Sequence, residues 1–254
     1  VGGKHVIYNL FMASINDDDE VIIPSPYWVS YPDIVSVCGG KPIIVSTAVK
    51  DGFKVTAKIL EENITKKTKW FIINSPCNPT GAVYSEKELK ELSHVLMKYP
   101  NVQILSDEIY EHIIYEKIEY INLLNVEPLL RDRTFIVNGV SKAFSMTGWR
   151  IGYGAGREEL IKSIAKIQSQ STTNPCSISQ MAAKFALDSP KDFLSSWLKK
   201  FEERKYFLIN FFQSIDGLKP FLPSGAFYLF VSCEGYIGSE KVDGKKIKND
   251  YDFA

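Results

Sequence analysis

The sequence lacks the features that mark several large classes of protein. Its 254 residues carry 30 basic and 30 acidic side chains, so the net charge is zero. A balanced charge does not favour binding to nucleic acid or to an anionic membrane surface. The apolar runs end after a few residues, far short of the roughly 20 needed to span a bilayer, and no signal-like segment opens the chain. We therefore expect a soluble, cytoplasmic protein with no nucleic-acid or membrane partner.

Cysteine and histidine are scattered too widely to indicate a disulfide framework or a metal centre. The four cysteines, Cys38, Cys77, Cys176 and Cys233, form no C-x-x-C pair, and the three histidines are as far apart. This usage suits a reducing cytosol. We expect no metal site.

Apolar runs with a strand pattern alternate with helical segments. Five runs are predicted strands, at residues 20–26, 41–47, 69–76, 102–108 and 133–140. Residues 85–99 open with a Ser-x-x-Glu capping box and space their leucines at helical intervals. Strands that are apolar on both faces and alternate with helices predict an α/β fold, with a mostly parallel sheet sandwiched by helices.

The end of the chain departs from this pattern. Apolar residues recur at helical spacing from Lys191 to Ile215, which predicts one long amphipathic helix. Residues 218–232 read as a strand broken near its start by Pro-Ser-Gly, and the final DYDFA reads as the start of a helix. We predict a large domain over residues 1–196, followed by a linking helix and the start of a small α+β domain over residues 197–254.

Polar side chains follow three of the predicted strands. Asn78 lies in NSPCNPTG after the third strand, Asp107 ends the fourth in SDEIYEH, and Lys142 follows the fifth in VSKAFSMTGWRIGY. Ligands of parallel sheets bind at the carboxyl ends of the strands, so these groups are expected to meet. Alone, each has a structural interpretation: a tight turn around Asn78, a cap at Asp107, or a surface cation at Lys142. Together with Tyr110 and Arg150 they resemble a functional site.

Pyridoxal phosphate requires this set of groups. Its aldehyde needs a primary amine, which among side chains only lysine supplies. Its protonated ring nitrogen needs a carboxylate, and its ring oxygen can be bound by a phenol and an amide. Its phosphate suits an arginine fork and the N–H groups at a helix start, and VGGKH supplies glycines before the helical stretch HVIYNLFMASI. We expect pyridoxal 5'-phosphate as the cofactor.

Four segments, in this order, carry a family resemblance. SPYWVSYP, NSPCNPTGAVY, SDEIYEH and SKAFSMTGWRIGY resemble the class I pyridoxal-phosphate-dependent aminotransferases, above all the bacterial aspartate aminotransferases. The likeness extends through IQSQSTTNP to PSGAFY and covers nearly the whole chain. It implies fold type I, a homodimer with shared active sites, and transamination between aspartate or glutamate and a 2-oxo acid such as 2-oxoglutarate. The alternatives are prephenate as the acceptor, and a cofactor-binding fragment without turnover.

The resemblance also assigns roles around the cofactor ring. Lys142 is implied to be the Schiff-base lysine and the group that moves the α-proton of the substrate. Asp107 pairs with the ring nitrogen, and Tyr110 acts at the ring oxygen. Asn78 contacts the ring oxygen and reaches the substrate carboxylate. Trp28 stacks on the ring beside the substrate, with a structural core or rim tryptophan as the alternative.

At the phosphate end, the resemblance assigns Arg150 and the backbone near Gly3 and Lys4. In bacterial relatives a lysine in the place of Lys4 also faces the distal carboxylate of dicarboxylic substrates. A solvated loop charge is the alternative for that residue. Gly139 stands where many relatives carry a hydroxyl residue, so one phosphate hydrogen bond is expected to be missing. Ser141 is nearer to Lys142 and is expected to point elsewhere if the strand alternates.

Members of this family run longer than the present sequence at both ends. The resemblance implies that a gating segment and a tyrosine for the partner's phosphate site lie before it. An arginine that binds the substrate α-carboxylate is implied to lie after it. We therefore expect that both the large and the small domain are only partly represented.

A nicotinamide dehydrogenase is a third interpretation, suggested by the parallel sheet and by GYGAG at residues 152–156. That run lacks the G-x-G-x-x-G spacing and the later acidic residue of a dinucleotide site. The dehydrogenase is therefore the least favoured of the three interpretations.

Overall fold

A six-stranded sheet forms the centre of the computed structural model, which describes residues 1–116, 118–241 and 243–254. The strands are β1 (Glu20–Ser25), β2 (Lys41–Ser46), β3 (Thr68–Asn74), β4 (Gln103–Asp107), β5 (Thr134–Gly139) and β6 (Gly152–Ala155). Their order across the sheet is β2-β1-β3-β4-β5-β6, with the first five parallel and β6 antiparallel at the edge. The five predicted strands are confirmed.

Helices cover both faces of the sheet. The α-helices up to residue 188 are α1 (Gly3–Ser14), α2 (Ser30–Val37), α3 (Ala57–Asn63), α4 (Glu86–Lys98), α5 (Leu123–Val126), α6 (Glu158–Ser171) and α7 (Ser177–Asp188). Short 3-10 helices span Val49–Asp51, Pro128–Arg133 and Glu234–Tyr236. The predicted α/β class, with a mostly parallel sheet between helices, is confirmed.

Two separate cores form because successive residues of a strand point to opposite faces. On β1, Val21 and Ile23 pack in the core under α1, α2 and α6, whereas Ile22 packs in the core under α3, α4 and α5. On β3, Trp70 belongs to the first core and Phe71 to the second. Strands buried on both faces explain why the sequence shows continuous apolar runs instead of an alternating pattern.

The helix α4 begins at the predicted capping box. The backbone N–H of Glu88 donates to the Ser85 hydroxyl, and the backbone N–H of Ser85 donates to the Glu88 carboxylate at 2.7 Å. These two bonds satisfy N–H groups that a helix start leaves without a partner. Leu89, Leu92 and Leu96 then face the second core, as their spacing predicts.

The end of the chain confirms one prediction and contradicts another. The long helix is present as α8 (Phe193–Gln213), and a last helix, α9, spans Asp250–Phe253. The strand predicted over residues 218–232 is wrong, because only the short β7 (Lys219–Pro220) and β8 (Val231–Ser232) are strands, and they pair with each other.

The backbone between β7 and β8 makes other contacts. The N–H groups of Ser224 and Gly225 both donate to the carbonyl of Gly81, and that of Ala226 donates to the carbonyl of Ile113. These bonds tie the segment to the loops that follow β3 and β4. They replace a continuous strand ladder.

The glycine run GYGAG does not form a dinucleotide site. Residues 152–155 form β6, which is antiparallel to β5. A dinucleotide site needs a parallel strand that leads into a helix through a glycine turn. The dehydrogenase interpretation is therefore wrong.

Within the described ranges, no helix is long and apolar enough to span a membrane. In the same part of the chain, no group of three or more His, Cys, Asp or Glu side chains is placed to hold a metal ion.

Truncation of a leucine in α4 tests the second core. Leu96 is fully buried, so Leu96→Ala should lower the free energy of unfolding by about 2 to 5 kcal/mol through lost burial and a cavity. His94 is exposed on the same helix, and His94→Ala should change the free energy of unfolding by less than about 0.5 kcal/mol. Urea unfolding followed by circular dichroism measures both. Equal losses in the two variants would contradict this packing.

Candidate active site

A cavity of about 270 Å³ opens at the carboxyl ends of the parallel strands. Its position follows from the strand register, in which Asn74 pairs with Asp107 and Asp107 pairs with Val137. The chain order reverses between β1 and β3, which is where α/β sheets leave a crevice for a ligand. All eight residues predicted from the sequence line this cavity: Gly3, Lys4, Trp28, Asn78, Asp107, Tyr110, Lys142 and Arg150.

Asp107, the last residue of β4, places a buried carboxylate at the cavity. Its Oδ2 atom accepts a hydrogen bond from the Tyr31 hydroxyl at 2.6 Å, and Oδ1 accepts one from the backbone N–H of Ile109 at 3.3 Å. Burial raises the pKa of the Asp107 carboxyl, while these hydrogen bonds and the charge of Lys142 act in the opposite direction. The net direction is upward, so these few neighbours oppose, and do not cancel, the effect of burial.

Lys142 lies in the turn after β5 and is partly buried. Burial and, next, the positive charge of Arg150 lower the pKa of its ammonium, whereas Asp107 raises it. The net direction is downward, so a larger fraction of this amine is neutral than for an exposed lysine. A neutral amine can attack an aldehyde or accept a proton. Its Nζ atom lies 5.8 Å from the ring centre of Tyr110.

Tyr110 presents a phenol at the same cavity. It is buried, and its hydroxyl oxygen lies 2.5 Å from that of Tyr228. Burial and then the contact with Tyr228 raise the pKa of Tyr110 far above its usual range. The phenol therefore stays protonated and can serve as a hydrogen-bond donor.

Asn78 is held by a bridge from the end of β3. Its backbone N–H donates to Asn74 Oδ1 at 2.8 Å, and Asn74 Nδ2 donates to the backbone carbonyl of Asp107 at 3.0 Å. The amide of Asn74 thus fixes the NSPCNPTG turn relative to β4. This bridge brings Asn78 and Asp107 to the same cavity.

Arg150 and the start of α1 form the other end of the cavity. A Cβ atom on Gly2 would lie 2.6 Å from Arg150 Nη2, and one on Gly152 would lie 2.3 Å from the Gly3 nitrogen. Glycine at these two positions therefore allows β6, the helix start and the guanidinium to approach closely. The guanidinium is also held by a 2.8 Å hydrogen bond from Nη1 to the carbonyl of Thr147. A helix N-terminus beside an arginine is suited to a phosphate group.

Trp28 and Lys4 lie together at the cavity. The Nζ atom of Lys4 is 4.9 Å from the centre of the Trp28 ring, and that ring meets Tyr31 edge-on at 5.3 Å. Lys4 is exposed and Trp28 is partly buried. Both side chains are therefore at the cavity and available to a ligand, although the roles implied for them stay predictions.

Ser141 was expected to point elsewhere if the strand alternates, and that condition is not met. β5 ends at Gly139, so the alternation of the strand does not extend to Ser141, which lies in the following turn and lines the cavity. Sequence reasoning also missed four polar residues of the lining: Tyr31, Asn74, Thr147 and Tyr228. Trp28 precedes α2 and Tyr31 lies in its first turn, so no helical spacing in the sequence links Tyr31 to the site.

The sequence matches one protein family over nearly its whole length. Residues 1–248 match the family described as Aminotransferase class I and II. The probable aspartate/prephenate aminotransferase of Rickettsia felis is 51% identical over 253 residues, which cover 100% of this chain and 62% of the relative. The aspartate aminotransferase of Rhizobium meliloti is 48% identical, with the same coverage of 100% and 62%. The present chain thus spans less than two thirds of the length of these relatives.

Solved structures agree with this relationship. The crystal structure of the aspartate aminotransferase from Rhizobium meliloti matches with a TM-score of 0.97 and 48% identity, covering 99% of this chain and 63% of that one. The Thermus thermophilus aspartate aminotransferase with maleate matches with a TM-score of 0.84 and 41% identity, covering 91% and 60%. The fold type I architecture implied by the sequence is confirmed.

The close approach at Gly152 can be tested by adding one methyl group. Gly152→Ala should push β6 away from the start of α1, where the phosphate of the cofactor is expected to bind. The binding free energy for pyridoxal phosphate should then weaken by about 1 to 3 kcal/mol, or roughly 5- to 150-fold in affinity. The control is Gly148→Ala, because a Cβ atom at Gly148 meets nothing within 4 Å. Absorbance titration of each variant with pyridoxal phosphate measures the affinity. If both variants bind as the parent does, the two backbones are not held in contact.

Proposed function

The chain belongs to the class I and II aminotransferases, and on this basis we propose that it transfers the amino group of aspartate or glutamate to a 2-oxo acid such as 2-oxoglutarate, with pyridoxal 5'-phosphate as cofactor. One observation carries the proposal. An amine on Lys142, a buried carboxylate on Asp107 and a guanidinium on Arg150 line a single cavity. When bound, the cofactor supplies an electron-withdrawing ring that stabilises negative charge on the substrate α-carbon.

The cavity fits the polar groups of this cofactor. Lys142 supplies the primary amine that the aldehyde requires, and Asp107 supplies an anion for the protonated ring nitrogen. Tyr110 and Asn78 are proposed to hold the ring oxygen. Arg150 and the N–H groups at the start of α1 are proposed to hold the phosphate, with Gly3 and Lys4 contributing their backbone there. Trp28 is proposed to stack on the ring.

Lys142 is also proposed to move the substrate proton. In its neutral form the amine accepts the α-proton of the bound amino acid and later returns it. The lowered pKa of Lys142 increases the neutral fraction at physiological pH. A positioned base of this kind contributes roughly 10²- to 10⁴-fold to a rate.

We propose dicarboxylic substrates. Lys4 places an exposed ammonium at the cavity, where it would pair with the distal carboxylate of aspartate or glutamate. Asn78 and Trp28 are proposed to contact the substrate nearer the ring. The solved Thermus thermophilus relative is described with maleate, a dicarboxylate, which supports this choice. The Rickettsia felis relative is described as acting on prephenate as well, so prephenate is the second candidate acceptor.

We further propose a cytoplasmic homodimer with shared active sites. Three apolar side chains on α7, Ile178, Met181 and Phe185, are 78%, 65% and 76% exposed. An apolar face of this kind is expected to be covered by another surface. We also retain as a proposal the division into a large domain over residues 1–196 and the start of a small one over residues 197–254.

Chemical trapping tests the role of Lys142. Borohydride treatment of the protein loaded with pyridoxal phosphate should fix the cofactor on Lys142, because the pKa of this lysine is lowered and it lines the cavity. Peptide mapping by mass spectrometry locates the label. Lys142→Ala should remain folded by circular dichroism and lose the label. A label on Lys4 or Lys162 in the parent protein would exclude the assignment.

Replacement of the buried carboxylate tests the role of Asp107. Asp107→Asn should leave cofactor binding largely in place but slow the reaction with aspartate by about 10²-fold or more, because a neutral amide does not stabilise a protonated ring nitrogen. Single-turnover spectroscopy with aspartate measures this step. Asp33→Asn, at an exposed position on α2, is the control. A rate for Asp107→Asn close to that of the control would contradict the role.

A further inference from the structure

Tyr31 is the closest side-chain partner of the Asp107 carboxylate, and the family resemblance assigns it no role. Its hydroxyl donates to Asp107 Oδ2 at 2.6 Å, whereas the other oxygen is bound at 3.3 Å by the backbone N–H of Ile109. Tyr31 is 2% exposed and Asp107 is 5% exposed. A hydrogen bond between buried groups, one of them charged, is strong because water cannot replace it.

We propose that Tyr31 is a positioning residue for the reaction, which holds the Asp107 carboxylate ionised and in one orientation at the cavity. The inference rests on the proposed function, since it gives Asp107 the task of pairing with the cofactor ring. Tyr31 acts through Asp107 and not on the substrate. The two donors, one on each oxygen, keep the carboxylate from rotating.

The surroundings of Tyr31 make it a constant donor. Burial, together with the negative charge of Asp107, raises the pKa of the Tyr31 phenol well above its usual range, so it stays protonated. Its ring is fixed by α2 and meets the Trp28 ring edge-on at 5.3 Å. Trp28 lies just before α2 and Tyr31 lies in its first turn. One segment thus orients both the tryptophan proposed to stack on the cofactor ring and the carboxylate of Asp107.

The other titratable groups near this pair come from three neighbouring segments. Cys77, in the turn after β3, and Tyr110, after β4, have their pKa values raised by burial and are neutral. Lys142, after β5, favours the ionised form of Asp107 while it is charged. That contribution disappears whenever the amine of Lys142 becomes neutral, as its proposed role requires. The hydrogen bond from Tyr31 does not depend on the state of Lys142.

Removal of the Tyr31 hydroxyl should therefore shift Asp107 towards its protonated form. In Tyr31→Phe, the Oδ2 atom remains buried without its donor, and burial disfavours the charged state. We expect the ratio of ionised to protonated Asp107 to fall by about tenfold or more at a fixed pH near the midpoint.

The first measurement uses the protein freed of cofactor by dialysis. A pH titration by NMR with isotope-labelled aspartate follows the carboxyl of Asp107, whose signal is identified by its loss in Asp107→Asn. Tyr31→Phe should titrate at higher pH than the parent. Tyr27→Phe is the matched control, because it removes a hydroxyl from the same segment while leaving both donors to Asp107 in place. If the ratio of ionised to protonated Asp107 in Tyr31→Phe stays within about twofold of the parent ratio at the same pH, the proposal is overturned.

A second variant covers the case in which Tyr31→Phe does not fold, as judged by circular dichroism. Replacement of Tyr31 by 3-fluorotyrosine keeps the ring and makes the phenol a stronger donor. Asp107 should then titrate at lower pH than in the parent. A shift to higher pH would contradict the proposal.

The last measurement separates this inference from the proposed function. With pyridoxal phosphate labelled at its ring nitrogen, the parent should show a protonated nitrogen by NMR, and Tyr31→Phe should move the signal towards the unprotonated value. An unchanged signal in Tyr31→Phe would overturn the role of Tyr31. Failure of the parent to bind the cofactor would reject the proposed function, while the titration of cofactor-free Asp107 would still decide whether Tyr31 holds it ionised.

Discussion

The burial of one carboxylate, Asp107, is the constraint on which the site depends. A charge at the end of a central strand is costly unless neighbouring groups stabilise it. The Tyr31 hydroxyl, the Ile109 N–H group and the Lys142 ammonium do so, and they come from three different segments of the chain. The parallel strands bring these segments together because their carboxyl ends lie in register. The sheet therefore determines the chemistry that is possible at its edge.

The two ends of the cavity differ in their electrostatics. At the end formed by Asp107 and Lys142, burial raises the pKa of Asp107 and lowers that of Lys142, so each group is less strongly charged than in water. At the other end, the exposed Arg150 guanidinium and the N-terminus of α1 both carry positive charge, and Gly2 and Gly152 allow their close approach. One end suits proton transfer, and the other suits the binding of a fixed anion.

Most of the fold and the proposed site residues could be predicted from the sequence, because the strands are apolar on both faces and three of them are followed by distinctive polar residues. The failures have local causes. The strand alternation considered for Ser141 does not apply, because β5 ends two residues earlier, at Gly139. The strand over residues 218–232 was wrong because its backbone bonds to the loops after β3 and β4, which no local pattern reveals. Tyr31 was missed because its importance lies in a contact with a residue 76 positions away.

The central claim is that the groups at this sheet edge hold pyridoxal phosphate in one orientation. A crystal structure of the protein with this cofactor tests it most directly. The account predicts continuous density between Lys142 Nζ and the cofactor, the ring nitrogen within hydrogen-bond distance of Asp107, and the phosphate between Arg150 and the start of α1. A cofactor bound with its phosphate beside Asp107, or bound outside this cavity, would contradict the account.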